Sequence, residues 1–141
     1  MPNGVLKQKR LSSAQSGQNL VEFMLSLPFI LIIFLFVVEA GRAWFFYEAV
    51  KMAANEGAQT AAVYQSPSIG RTAVIRKLQI AGIPPTGTPQ VTQVPNQHAY
   101  QVSVTANFVP LFGAAHFPLA GNDLFTGFPI SYTALKQYAV Y

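Results

Sequence analysis

The chain of 141 residues has no cysteine, one tryptophan and two histidines, and only 10% of its residues are charged. Without thiols there is no disulfide framework, no thiolate zinc site and no cysteine nucleophile. Carboxylates are almost as scarce: there are five, and Asp123 is the only one after Glu56. A metal centre needs about three converging ligands, and a hydrolytic site needs a nucleophile with a base and an orienting group. His98 and His116, eighteen residues apart in loop-like sequence, do not assemble either. Gly121, Asn122 and Asp123 read as a turn. The expectation is a protein that is not an enzyme, with no catalytic residue, no metal, no cofactor and no small-molecule substrate. What the chain does have is apolar mass: 51% of it is hydrophobic. A disordered chain has low hydrophobicity and high net charge, so this one is not of that kind.

The apolar mass lies in one run. Residues 20–38 read LVEFMLSLPFILIIFLFVV, and the sixteen positions between Glu22 and Glu39 carry no charge. At 1.5 Å per residue these make about 24 Å of helix, somewhat short of a hydrocarbon core of about 30 Å unless flanking residues join the span. Leu, Ile, Phe and Val fall on every face and leave no polar stripe, which favours a membrane helix over a buried soluble one. Lys7, Lys9 and Arg10 precede the run with no acid among them, whereas charges of both signs come after it. The positive-inside rule then places the amino end in the cytoplasm and the rest outside. A cleaved secretory signal is the competing reading, with Gly41 and Ala43 as small residues near a cut. Its apolar region would be longer than usual, and no helix break precedes the site.

Residues 1–17 read as a flexible basic leader and residues 18–64 as a membrane and stalk helix. Glu39/Arg42 and Glu48/Lys51 fall three apart in the stalk, within reach on a helix surface. Ala43, Val50, Ala54, Ala58, Ala61 and Ala62 recur on its faces and would let a neighbouring helix approach closely. Pro28 removes an amide bond and predicts a kink or local unwinding. Gln65, Ser66, Pro67 and Ser68 end the stalk. A second, amphipathic helix spans 69–81, closed by Gly82 and the Pro84/Pro85 pair. Strands are expected at 90–94, at 100–108, where Tyr100, Val102, Val104, Ala106 and Phe108 alternate with polar residues, and at about 129–136. The fold class is α+β: a long N-terminal transmembrane and stalk helix bearing a small external head, residues 65–141, of one helix and a three- to four-stranded antiparallel sheet. Phe108, Phe112, Phe117, Phe125, Phe128, Tyr132, Tyr138 and Tyr141 either fill a small core under the loops or form a contact surface. Arg71, Arg76 and Lys77 on the second helix read as a solvated face, with no motif for nucleic acid beside them.

The boundary between leader and apolar run carries the functional signal. A carboxylate at the edge of a membrane helix is costly unless paired or at the interface. Cleavage after Gly17 would make Gln18 a free ammonium four residues before Glu22, one helical turn away, able to neutralise it within the subunit or in a neighbour. Cleavage would also remove the three leader cations. Basic residues, Gly17, four residues, then Glu22 and Phe23 before an apolar run resemble the prepilin leader of type IV filament systems, closest to the tight-adherence branch. The next stretch, through Glu39-Ala40-Gly41-Arg42-Ala43 and Ala-Ala-Asn-Glu-Gly-Ala, resembles the TadE-like family of pseudopilins. The likeness covers residues 17–63, about a third of the chain; the head carries no matching motif.

The resemblance implies a minor pilin or pseudopilin acting in pilus assembly, initiation or adhesion, held in a bacterial inner membrane and possibly built into an external pilus. Gly17 and Gln18 would flank the prepilin-peptidase cut, Glu22 would serve processing or subunit registration, and Phe23 would fill the aromatic position, where Tyr is common. The implied partners are prepilin peptidase, other pilin subunits, the assembly platform and membrane lipid. The alternative is an unprocessed single-pass membrane protein with an external binding domain. Formal charge is +4, but without the three leader cations six cations face five acids. The basic balance thus reports topology and points to no nucleic-acid partner.

Overall fold

The computed structural model describes residues 3–111 and 127–139, with side chains from residue 17 onward. Helix α1 runs Asn3–Tyr64, α2 Pro67–Ile80, and three strands complete the order: β1 Gln90–Val94, β2 Ala99–Phe108 and β3 Phe128–Gln137. The architecture is α+β, a long apolar N-terminal helix, one further helix and a three-stranded antiparallel sheet of order β1-β2-β3. The chain divides into two compact units, Met1–Ala40 and Gly41–Tyr141, and α1 contributes to both. Residues 112–126, which include Phe112, His116, Phe117, Asp123 and Phe125, lie outside the described residues, as does Tyr141.

Helix α1 begins well before the apolar run, although the leader shows no helical periodicity. Extending an existing helix fixes one residue per hydrogen bond and needs no second nucleation, so a strongly helical segment recruits a weak neighbour. The helix is also continuous through Pro28, in contrast to the local unwinding that a proline predicts. It ends at Tyr64 because Gln65 turns left-handed (φ 49°) and the Ser66 amide donates to the Ala61 carbonyl at 3.2 Å, the six-to-one bond of a Schellman cap. Pro67 then opens α2, with its fixed φ and missing amide suited to that position. The far end of α2 closes with both bonds of the same cap. The Gly82 amide donates to Gln79 O (3.0 Å) and the Ile83 amide to Leu78 O (2.9 Å), with Gly82 at φ 70°.

In the second unit, Val50, Ala53, Ala54, Ala58, Ala61 and Ala62 form a buried stripe on α1 at helical spacing. They share one core with Val74 and Leu78 of α2, Ile83, Val91 of β1, Tyr100, Val102, Val104 and Ala106 of β2, and Ala134 of β3. The alternation in β2 sets the sheet: Tyr100, Val102, Val104, Ala106 and Phe108 are buried, while Gln101 and Asn107 on the other face are exposed. Register is fixed by it, with Val102 opposite Val91 and Ala134, so that apolar residues meet on the core face. On the outer face Ser103 and Thr133 hydrogen bond at 3.0 Å. A 3-10 turn, Pro95–Gln97, joins β1 to β2. His98 closes it at φ 45° and donates its amide to Pro95 O, which makes it a turn residue.

The small residues of α1 serve a close approach to α2. A methyl group on Gly57 would lie 2.3 Å from Val74 Cγ2, and one on Gly70 would lie 2.6 Å from Ala61 Cβ and 2.8 Å from Gly57 O. The neighbouring helix that the alanine pattern implies is therefore α2 of the same chain. One ion pair spans the crossing, Lys77 Nζ to Glu56 Oε2 at 2.8 Å, with both side chains more than 40% exposed. Exposed pairs contribute about 1 kcal/mol at most, so Glu56→Ala is expected to lower head stability by less than that, a small shift in a thermal melt. Lys51 donates to both Glu48 oxygens at 3.2 and 3.3 Å, in keeping with the three-residue spacing. The hydrogen bond to Glu48, and then the charge of that carboxylate, hold the Lys51 ammonium above its ordinary range.

Candidate processing and assembly site

Gly17, Gln18, Glu22 and Phe23 lie in the first unit, all on α1 and all exposed. Gln18 and Glu22 are one helical turn apart, which is the geometry in which a new ammonium at residue 18 can approach the carboxylate. The Ser26 hydroxyl donates to the Glu22 carbonyl at 2.9 Å, a bond to the backbone that leaves the carboxylate out of it. The large apolar side chains of residues 20–38 are 39–73% exposed, so no described part of the chain covers the run. This argues against the soluble core helix. By length and composition α1 is able to cross a membrane.

Gly17 differs from the glycines at the helix crossing. A methyl group added there meets nothing within 4 Å. The fold of the isolated chain therefore does not require glycine at this position, whereas it does at Gly57 and Gly70. The bond between residues 17 and 18 also lies inside continuous helix. A peptidase that binds extended backbone must first unwind a turn, and glycine, which costs a helix about 1 kcal/mol relative to alanine, makes that opening easier.

A sterically unconstrained glycine, a carboxylate five residues on and an uncovered apolar helix thus occur together on α1. Residues 17–59 match the family model of TadE-like proteins. The match associates this segment with tight-adherence (Tad) pilus systems, a family not known as enzymatic. No curated protein and no solved structure matches the chain. The TadE-like segment takes in the candidate processing residues, the apolar run and the first part of the buried alanine stripe up to Ala58. It ends before Gly70, the partner of Gly57 at the crossing.

Sequence reasoning singles out Gly17, Gln18, Glu22 and Phe23 because they are adjacent in the chain. It misses the Gly57/Gly70 approach and the Lys77/Glu56 pair, whose members are distant in sequence. A glycine in an otherwise alanine-rich helix, with another near the start of the next helix, is the signal that could have found them. Of the basic cluster on α2, Lys77 is paired with Glu56, and Arg71 is half-buried with its Nε lacking a hydrogen-bond partner. His98 stacks edge-on to Tyr138 with ring centroids 6.0 Å apart. Among the described residues no group of three His, Asp or Glu side chains converges.

Proposed function

We propose that this protein is a minor pilin or pseudopilin of a tight-adherence type pilus, inserted in a bacterial inner membrane with its amino end cytoplasmic and its head outside. Prepilin peptidase cuts between Gly17 and Gln18. The new ammonium pairs with Glu22, in its own subunit or a neighbour, and this removes the cost of carrying a carboxylate into an apolar bundle. Loss of Lys7, Lys9 and Arg10 releases the amino end from the cytoplasmic face, and the apolar helix passes from lipid into a helical assembly. A bend at Pro28 would help that helix fit its neighbours. The head, which is too long for a plain shaft subunit of that branch, acts in initiation, assembly or adhesion. The observation that carries this reading is the Gly17, Glu22, Phe23 spacing in front of an uncovered apolar helix, inside the segment that matches TadE-like proteins.

Intact-mass spectrometry of the membrane fraction tests it. A mature chain starting at Gln18 is expected; a chain that keeps Lys7 to Arg10 in cells with a working prepilin peptidase favours the unprocessed membrane protein instead. Glu22→Ala is expected to insert normally and to assemble poorly, read as a shift of the subunit from sheared filaments to the membrane. Normal incorporation of that variant would refute the pairing.

A further inference from the structure

The apolar run is short for a bilayer, and an aromatic cluster lies just beyond it: Trp44, Phe45, Phe46 and Tyr47 come six to nine residues after Val38. In the second unit Trp44, Phe46 and Tyr47 take part in two chains of ring contacts with the sheet. Trp44 meets Tyr47 (6.1 Å between centroids) and Tyr47 meets Tyr132 (6.2 Å). Phe46 meets Phe108 edge-on (5.4 Å), and Phe108 meets Phe128 (5.3 Å), its partner across the ladder. Arg42 lies over the Phe108 ring, 5.5 Å from its centroid. The end of the β2/β3 ladder is thus held beside the first turns that α1 contributes to this unit. Among the described residues nearby, Trp44 is 67% exposed, Phe45 66%, Val109 55% and Phe128 49%.

We propose that this rim of Trp44, Phe45, Val109 and Phe128 sits in the boundary between headgroups and acyl chains of a phospholipid bilayer. The chemistry fits that occupant. Exposed Trp and Phe side chains are what an interface between hydrocarbon and headgroups accepts, and aromatic belts mark that depth. The length of the run fits as well. About 24 Å of uncharged helix is matched to about 30 Å of hydrocarbon by drawing flanking residues to the boundary, and Trp44 comes about 9 Å of helical rise after Val38. Phe128 reaches the same level through the ring contacts, although it is far away in sequence. The proposal rests on residues 20–38 spanning a membrane, and on no part of the processing reading.

Trp44 is the sole tryptophan, so the full chain in phosphatidylcholine vesicles carries its own reporter. Doxyl labels placed shallow or deep on the acyl chain are the probes. Trp44 is expected to be quenched more by the shallow label, and severalfold less by aqueous acrylamide than a free tryptophan analogue. With Trp44→Phe as background, Phe128→Trp is expected to behave in the same way, Leu31→Trp to be quenched by the deep label, and Ile80→Trp to remain aqueous. If Leu31→Trp inserts but Trp44 and Phe128→Trp are aqueous, the docked rim is wrong and the span stands. If Leu31→Trp is itself aqueous, the membrane reading fails and the rim with it. Shielding that ignores the doxyl labels and grows with the protein-to-lipid ratio assigns the rim to a second copy and also overturns the proposal.

Discussion

Gly70→Ala is expected to lower the stability of the head by about 2 kcal/mol, and Gly70→Val to abolish its cooperative melt, because the added atoms have nowhere to go. The new methyl meets Ala61 Cβ at 2.6 Å and the Gly57 carbonyl oxygen at 2.8 Å. Neither is the movable end of a long side chain; both belong to the wall of α1. Relief requires α2 to move outward, which opens the contacts of Val74 and Leu78, both fully buried. Burying a side chain of that size is worth about 1.5–3 kcal/mol, and a domain holds only about 5–15 kcal/mol in all. A fall of about 10 °C in the near-ultraviolet circular dichroism melt of the detergent-solubilised chain is expected for Gly70→Ala. Gly41→Ala supplies the control: it sits on helix α1, in the same compact unit, and its added methyl meets nothing within 4 Å. Equal melts for the two variants would show that the crossing is not close-packed.

Gly17→Ile is expected to leave that melt unchanged while the leader stays attached. The fold is indifferent to the position, since nothing lies within 4 Å of a methyl placed there. Any loss must therefore arise where the chain meets the peptidase. A pocket with room for little more than a methyl group rejects a bulky side chain steeply, and the branched side chain of Gly17→Ile should lose about 100-fold or more in cleavage rate. Gly17→Ala, whose single methyl faces open space in the substrate, is expected to retain most processing. The measurement is the ratio of long to mature chain by intact mass in cells expressing the peptidase. Normal cleavage of Gly17→Ile would remove the main support for a cut at this position. A reduced melt with normal cleavage would assign Gly17 to the fold.

These two glycines mark the limit of what is legible in the sequence. Gly17 stands out from its neighbours alone: cations before it, Glu22 and Phe23 after it, then the apolar run. Gly70 does not, because its importance comes from Gly57 and Ala61, thirteen and nine residues away on another helix. The alanines of α1 read as a surface for a neighbouring helix, and they are covered within the same chain, by α2 together with the core face of the sheet. Periodicity shows that a face is small and apolar and is silent about what covers it. The aromatic residues split in the same way. Phe108 and Tyr100 are core, whereas Phe128 is half exposed at the rim.

By itself, the sequence determined what depends on neighbours along the chain. That includes the apolar helix, the breaks at residues 65–68 and 82–85, the alternation that makes residues 100–108 a strand with one apolar face, and the Lys51/Glu48 pair. Each rests on a period or a spacing of a few residues, which the backbone geometry of helix and strand converts directly into a face or a contact. Only the tertiary structure decided which faces meet: the place of β2 between β1 and β3, the Gly57/Gly70 crossing, the Lys77/Glu56 bridge, and the contacts of Phe108 with Phe46, Phe128 and Arg42. The residue contacts among these join positions from nine to sixty-six apart, and nothing in the local pattern of either partner names the other.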